Sequence, residues 1–495
     1  MALLGFLIKP FANFVAKKIK SDSINALAIQ DKILINLLEN AKNTVFGKEH
    51  QFNKIKNYTD FTQQVPVNDY EGLRHYIDKI IEGERDILWK GLPSYFAKTS
   101  GTTSGLKYIP ITKESMPNHF GTARNAVFCY LAESRNYAAM NGKMIFLSGS
   151  PEMESKNGIL TGRLSGIVNH HIPAIFRTNQ LPTYATNCID DWEKKVDAIA
   201  NETLQANMTL ISGIPPWVEM YFEALKTKSG KTKIKDIFPN FSLYVHGGVN
   251  YEPYRTKIEQ SVGKKIDTID TYPASEGFIA FQDSQHNEGL LLNVNSGIFF
   301  EFIPANEIFN ANPTRLSLHN IELNVNYVII LNTNAGLWGY NIGDTVKFVS
   351  KNPYRIVVTG RIKHYISAFG EHVIGEEVDA VMNAAIQQFG LSINEFTVAP
   401  NIQPKNNQKP FHHWYIAFNT IPENIENIAQ YMNDIMCKKN AYYDDLINGN
   451  ILQCLKIVPL EGNAFIQYMK REGKLGGQNK VPRLSNNRDI VDKLN

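Results

Sequence analysis

Between residues 143 and 272 the chain alternates short apolar runs with stretches of helical periodicity, and this alternation constrains the fold more than any other feature. KMIFLSG (143–149), MTLISG (208–213), FSLYVHGG (241–248) and KIDTIDTY (265–272) are rich in β-branched and aromatic residues and run up to Gly or a turn, as strands do. Between them, DDWEKKVDAIANETLQ sets Trp192, Val196, Ile199 and Leu204 at helical spacing, and PPWVEMYFEALK opens with proline, which suits a first helical turn. Strands joined through helices predict a mostly parallel sheet covered on both faces.

From about residue 286 the texture changes to strands with few helices, in IFFEFIP, NYVIILNT, TVKFVS and RIVVTG, which predicts a β-rich subdomain. A helix returns in GEEVDAVMNAAIQQFG, where Val378, Val381, Met382, Ala385, Ile386 and Phe389 form one apolar stripe. With HHWYIAFN, ENIAQYMNDIM and CLKIVPL it makes a small α+β unit. The expected fold class is therefore α/β: a large N-terminal domain over 1–362 and a smaller α+β domain over 363–495, joined near Gly360–Phe369. A chain of 495 residues has room for two or three such cores.

Charge narrows the partners. Lys+Arg of 51 against Asp+Glu of 48 leaves +3, with no basic excess for nucleic acid or an anionic membrane. No apolar run approaches the roughly 20 residues that span a bilayer. The N-terminus, MALLGFLIKPFANFVAKKIK, lacks a basic residue before its apolar run and is interrupted by Pro10, so it reads as an amphipathic docking helix without stable membrane insertion. Cys129, Cys188, Cys437 and Cys454 include no C-x-x-C pair, which suggests neither a zinc site nor a disulfide framework and fits a reducing cytoplasm. Oligomeric state is not legible.

Six motifs carry candidate chemistry. The run TSGTTSGLK comprises Thr99, Ser100, Gly101, Thr102, Thr103 and Ser104 to Lys107. Such a loop offers the backbone N–H and hydroxyl donors that wrap a polyphosphate; it equally suits a polar surface turn. It is not a Walker A loop, because three residues separate Gly101 from Gly105, Leu106 precedes Lys107, and Tyr108 replaces the metal-binding hydroxyl. DTYPASEG (270–277) follows a predicted strand and puts Tyr272, Ser275 and Glu276 in one turn, either as base, phosphate and Mg²⁺ contacts or as a strand-to-helix turn capped by Ser275.

HGGVNYEPYR (246–255) contributes Gly247 and Gly248, whose missing side chains let backbone approach a flat ligand. In LWGYNIGDTV, Asp344 of a Gly-Asp turn can accept two hydrogen bonds from a ribose diol or simply stabilise that turn. GRIKHYISAFGEHV places Arg361 after a strand, and GGQNKVPRL carries Lys480 in a Gly-rich tail; each in isolation also reads as a surface cation.

Taken in order, the phosphate loop, YPASEG, GYNIGD, GR and C-terminal lysine resemble the adenylate-forming superfamily. The resemblance is closest to the plant auxin-responsive acyl acid amido synthetases, the Gretchen Hagen family, and their bacterial relatives, and it runs from about residue 40 to the end. It implies an adenylate-forming enzyme fold and a cytoplasmic ligase using ATP and Mg²⁺. A carboxylic acid would be adenylated with release of pyrophosphate, then passed to an amino acid or other amine with release of AMP.

The implied roles are ATP phosphate binding by Ser100–Lys107, adenine contact by Tyr272, phosphate contact by Ser275, Mg²⁺ by Glu276 and ribose by Asp344 with Arg361. Lys480 would meet the carboxylate and α-phosphate, and Gly360–Lys363 would serve as hinge. Glu371-His372 stands where plant members tend to carry a lysine, and Thr99-Ser100 replaces a twin serine. An acyl–CoA ligase and a catalytically silent nucleotide or acyl-acid binder are the alternatives.

Overall fold

The strands read between 143 and 272 form at Lys143–Phe146, Met208–Ser212, Leu243–Gly247 and Asp267–Ala274 in a computed structural model. The structure describes every residue except 1, 101–105, 173–176, 249, 363–364, 367–370, 372, 403, 405–407, 450, 476–479 and 495, and excludes the side chains of 2–7, 100, 253, 365 and 441. These four strands run parallel, in the order of their neighbours, with Val245 opposite Ile269 and Ser212 opposite Val245. The crossover helices are Trp192–Thr203, where the Asp191 carboxylate accepts from the Lys194 N–H at 2.9 Å, and Pro215–Ser229, which ends at Gly230 with φ +67°. Asp at the N-cap and Gly just past the end are what the orphan backbone groups of a helix demand.

After Asp267–Ala274 the chain turns back at once: Gly277 pairs with Ala274, and Gly277–Phe281 runs antiparallel. Ser275 and Glu276 thus form the tip of a hairpin, not a strand-to-helix turn. The reason is the next segment, GFIAF, every residue of which is buried; such a run belongs inside a sheet and cannot make a half-exposed helix. The β-rich stretch accordingly continues the same sheet. Eleven strands follow in the order Ile298–Pro304, Asn326–Thr333, Tyr340–Lys351, Tyr354–Arg361, Leu290–Leu292, Gly277–Phe281, Asp267–Ala274, Leu243–Gly247, Met208–Ser212, Lys143–Phe146 and Gln180–Leu181. A separate four-stranded sheet orders Leu106–Ile111, Tyr95–Ser100, Ile159–Gly162 and Glu154–Lys156.

Pro10 does not break the N-terminal helix, which spans Ala2–Ile24. Ile8, Ala12 and Val15 are buried against the Met116–Ser134 helix, and the Phe11 and Phe128 rings meet edge-on at 5.2 Å. That packing outweighs the loss of one helical hydrogen bond at proline. Among the described residues no helix is long and apolar enough to cross a membrane.

The chain divides into two compact units. The larger comprises 1–249, 261–342 and 346–357; the smaller comprises 250–260, 343–345 and 358–495. The smaller unit has a three-stranded sheet, Ile393–Asn401 antiparallel to Phe411–Phe418 and the latter parallel to Lys456–Glu461. Its core packs Val378, Val381 and Met382 of the Gly375–Phe389 helix with Trp414, Ile428 and Met432.

In the larger unit a buried ion pair supports the edge strand. Glu301 is fully buried, and its carboxylate receives Arg315 Nε and Nη2 at 2.9 Å each, Asn332 Nδ2 at 2.8 Å and the Tyr58 hydroxyl at 3.0 Å. Removing the guanidinium strands an uncompensated buried charge. Arg315→Met is expected to cost about 3–5 kcal/mol in urea unfolding, and adding Glu301→Gln to recover part of that loss, because a neutral amide needs no counter-charge.

Candidate active site

The phosphate-loop motif is a hairpin. Tyr95–Ser100 pairs antiparallel with Leu106–Ile111, which sets Thr99 opposite Lys107 and Ser100 opposite Leu106. The loop between them holds Gly101, Thr102 and Thr103, which lie outside the described residues, as does the Ser100 side chain. Thr99 and Lys107 are half-buried, and Lys107 Nζ sits 5.4 Å above the Tyr70 ring. A second lysine that sequence reasoning missed, Lys156, comes from the Glu154–Lys156 strand, donates to the Tyr108 hydroxyl at 2.7 Å and lies 4.1 Å from that ring's centre. No local signal marks it; only strand pairing brings it here.

Gly247 ends its strand opposite Thr271. A Cβ there would lie 2.3 Å from the Thr271 carbonyl oxygen and 2.5 Å from its hydroxyl, so the position excludes every side chain. Gly248 follows at φ +77°, a conformation that glycine adopts without strain. The Thr271 hydroxyl donates to the His246 carbonyl at 2.7 Å, and His246 Nδ1 faces Asp270 at 3.4 Å. Tyr272 is buried among Ile279, Leu292 and Ile298; Ser275 is buried and Glu276 half-buried at the hairpin tip. Asn118 of the Met116–Ser134 helix clamps the returning strand, accepting from the Phe278 N–H at 2.7 Å and donating to its carbonyl at 3.1 Å. The adjacent His119 is buried, which lowers its pKa to about 4 and leaves it neutral near pH 7.

Asp344, Arg361 and Lys480 belong to the smaller unit. Asp344 is not in a turn. It lies within the Tyr340–Lys351 strand, where Gly343 at φ +84° bends the backbone, and the Gly343 carbonyl accepts from the Ile362 N–H at 2.8 Å. Asp344 Oδ1 accepts from Arg361 Nε at 2.6 Å, and the Thr345 and Thr359 hydroxyls bond beneath at 2.8 Å. Lys480 keeps an exposed flank, yet the protein crowded around its ammonium lowers its pKa to about 8, with Asp344 resisting and Arg361 reinforcing the fall.

Glu371 is fully buried and bonded to His412 Nε2 at 2.8 Å. His372 and Lys363 lie outside the described residues. Among the described residues no three His, Cys, Asp or Glu side chains cluster as a metal cage. A single carboxylate such as Glu276 nevertheless suits Mg²⁺, which keeps several waters and takes most of its protein-side charge from substrate phosphates.

A lysine with a pKa near 8 releases its nucleophilic free amine at a pH where ordinary lysines, near 10.4, are still protonated. Lys480 is therefore expected to half-titrate near pH 8 in competitive acetylation read by mass spectrometry, about two units below the surface lysines. A midpoint near the 10.4 of an ordinary lysine would show that its surroundings do not desolvate it.

With this geometry in view, the known proteins that the chain resembles are informative. The model of the GH3 family N-terminal domain matches residues 15–181 and 164–266, that of the central domain 291–361, and that of the C-terminal domain 376–489. A jasmonoyl–L-amino acid synthetase (JAR4) of Nicotiana attenuata is 23% identical over 385 residues, covering 64% of this chain and 66% of that protein's length. The chain thus spans just under two thirds of this relative. The solved GH3.15 acyl acid amido synthetase shares the fold at a TM-score of 0.80 and 16% identity, covering 97% of this chain and 95% of that one. A 2-hydroxyisobutyryl-CoA ligase in the postadenylation state aligns at a TM-score of 0.55 and 12% identity, covering 94% and 90%. The fold is that of adenylate-forming enzymes, and because the three family models together match most of the sequence, the chain belongs to the GH3 family.

Proposed function

We propose that this protein is an ATP-dependent acyl acid–amido synthetase of the cytoplasm. The observation that carries the reading is the Asp344–Arg361–Lys480 cluster in a chain of this family, since it combines a diol acceptor with two cations suited to phosphate and carboxylate. In the first half-reaction a carboxylate oxygen attacks the ATP α-phosphorus, forming acyl-AMP and releasing pyrophosphate. In the second an amine attacks the acyl carbon, the acyl–oxygen bond to AMP breaks, and amide, AMP and a proton are produced. Joining the acid to AMP converts a poor acylating agent into one with a good leaving group.

Each residue has a part in this reading. The hairpin loop of Ser100–Lys107 cradles the β- and γ-phosphates, and Gly247–Gly248 gives the adenine a backbone surface near Tyr272. Ser275 donates to phosphate, Asp344 accepts the ribose hydroxyls with Arg361 holding its carboxylate, and Lys480 offsets the charge gathering between carboxylate and α-phosphate. Glu276 would hold Mg²⁺ together with the phosphates, and the ion would supply electrostatic stabilisation of phosphate charge there. In this reading residues 1–362 carry the ATP and acid contacts other than Lys480, which 363–495 contributes, with Gly360–Lys363 as hinge.

The test is pyrophosphate release with ATP, Mg²⁺ and a panel of carboxylic acids, followed by addition of pooled amino acids or CoA. Acid-dependent release and a new amide are expected. Thioester without amide would make the chain a CoA ligase, and no release with any acid would leave a silent binder. Glu276→Gln is expected to raise the Mg²⁺ concentration for half-maximal release by about tenfold or more, because one hard anionic ligand is lost while shape is kept. An unchanged magnesium dependence would remove Glu276 from the metal.

A further inference from the structure

We propose that Arg483 is a positioning residue for Lys480: its guanidinium locks the tail that carries the lysine onto the edge of the C-terminal sheet and onto the 250–260 segment. This rests on the role proposed above for Lys480. Arg483 does not touch the reacting atoms; it acts through the three-residue tether Val481-Pro482-Arg483. Three residues reach at most about 11 Å, and Pro482 has its φ fixed near −65°, so wherever Arg483 is held Lys480 has little freedom.

The tail is held on two counts. Its backbone adds to the edge strand Ile393–Asn401: the Thr397 hydroxyl donates to the Pro482 carbonyl at 2.7 Å, Val398 N–H to the Arg483 carbonyl at 2.9 Å, and Ser485 N–H to the Val398 carbonyl at 2.9 Å. Leu484 is fully buried in the core. The Arg483 side chain, only 15% exposed, then reaches the opposite way into a ring of acceptors. It meets Asp379 Oδ1 at 3.2 Å, Glu395 Oε1, and the Tyr254 hydroxyl at 3.0 Å, and its plane lies 4.5 Å from the centre of the Phe396 ring.

Those partners are themselves bonded to the segment that follows the Gly247–Gly248 turn in sequence. Asn250 Nδ2 donates to Asp379 at 2.9 Å and the Tyr254 hydroxyl to Glu395 at 2.9 Å. One guanidinium therefore joins the helix carrying Asp379, the strand carrying Glu395, the 250–260 segment and the tail. Hydrogen bonds to the Glu395 carboxylate and the Tyr254 hydroxyl from one planar fork define direction as well as distance, which an ammonium does not do, and Asp379 adds opposite charge. If Leu484 and the added strand alone anchored the tail, this second anchor would be redundant. Its use is to fix the orientation of the residues just before it.

The experiment compares Arg483→Lys, Lys480→Ala and the double variant. Arg483→Lys keeps the positive charge opposite Asp379 and Glu395 but loses the fork. Arg483→Lys is expected to fold, to bind ATP within about twofold of wild type, and to slow the Lys480-dependent half-reaction in single turnover by about 10²-fold, the effect of a displacement near 1 Å. The double variant should be no slower than Lys480→Ala, because both changes remove the same contribution. The acetylation midpoint of Lys480 should also move up from about 8 toward that of a solvated lysine, which a purely structural rivet would not cause.

Wild-type rates in Arg483→Lys, or losses that multiply in the double variant, overturn the proposal. Wild-type rates in Lys480→Ala would instead overturn the reading of Lys480 on which it rests. Should Arg483→Lys fail to fold, Tyr254→Phe, which deletes one hydroxyl from the ring of acceptors, is put through the same cycle with an expected slowing of about fivefold that vanishes in the Lys480→Ala background.

Discussion

The Thr271 carbonyl oxygen occupies the space where Gly247 would otherwise carry its first side-chain carbon, and the arrangement of the larger unit's site follows from that contact. The pairing of these two parallel strands reaches Gly247 and Thr271 only because one partner has no side chain there. The Thr271 hydroxyl then closes onto the His246 carbonyl, and the chain reaches the Ser275–Glu276 hairpin four residues later. The carboxyl ends of parallel strands are where an open α/β sheet leaves its backbone groups available to a ligand. Any larger residue at 247 would splay the pair and move the hairpin with it.

Much of this was legible in the sequence because it depends on local periodicity. NYVIILNT became the strand Asn326–Thr333, and the apolar stripe of GEEVDAVMNAAIQQFG became the buried face of Gly375–Phe389. Where local reading failed, pairing between distant segments decided. Asp344 looked like a turn residue beside glycine, yet the flanking strand continues through it with a bend at Gly343. The turn after Tyr272 looked like a helix start, and the buried GFIAF that follows made it a hairpin. Pro10 looked like a helix break until packing against the Met116–Ser134 helix kept it inside one. Likewise, nothing in HGGVNYEPYR shows that residues 250–260 group with the C-terminal unit, because their partners Asp379, Glu395 and Arg483 are more than a hundred residues away.

The motif residues also divide by how their chemistry is supported. Glycines and hydroxyls in the larger unit act through backbone shape, which a substitution disrupts sterically. Charged residues in the smaller unit act through one another. Arg361 neutralises Asp344 at 2.6 Å, but it is about half exposed, so water screens the pair and its net contribution to stability is at most about 1 kcal/mol. The pair is better understood as orientation: a carboxylate held on one side presents its remaining acceptor positions in a defined direction.

Lys480 completes this balance in a way that neither partner does alone. Burial lowers its pKa most, with Asp344 resisting that fall and Arg361 adding to it, so its ammonium is destabilised chiefly by crowding. A group in that condition gains from an arriving anion, which favours the charged form that burial disfavours. A fully solvated lysine would gain less, because binding the anion costs it water that it already holds. Arg483 in the same tail is treated differently: Glu395 and Asp379 sit against its guanidinium and hold the chain in place three residues from Lys480.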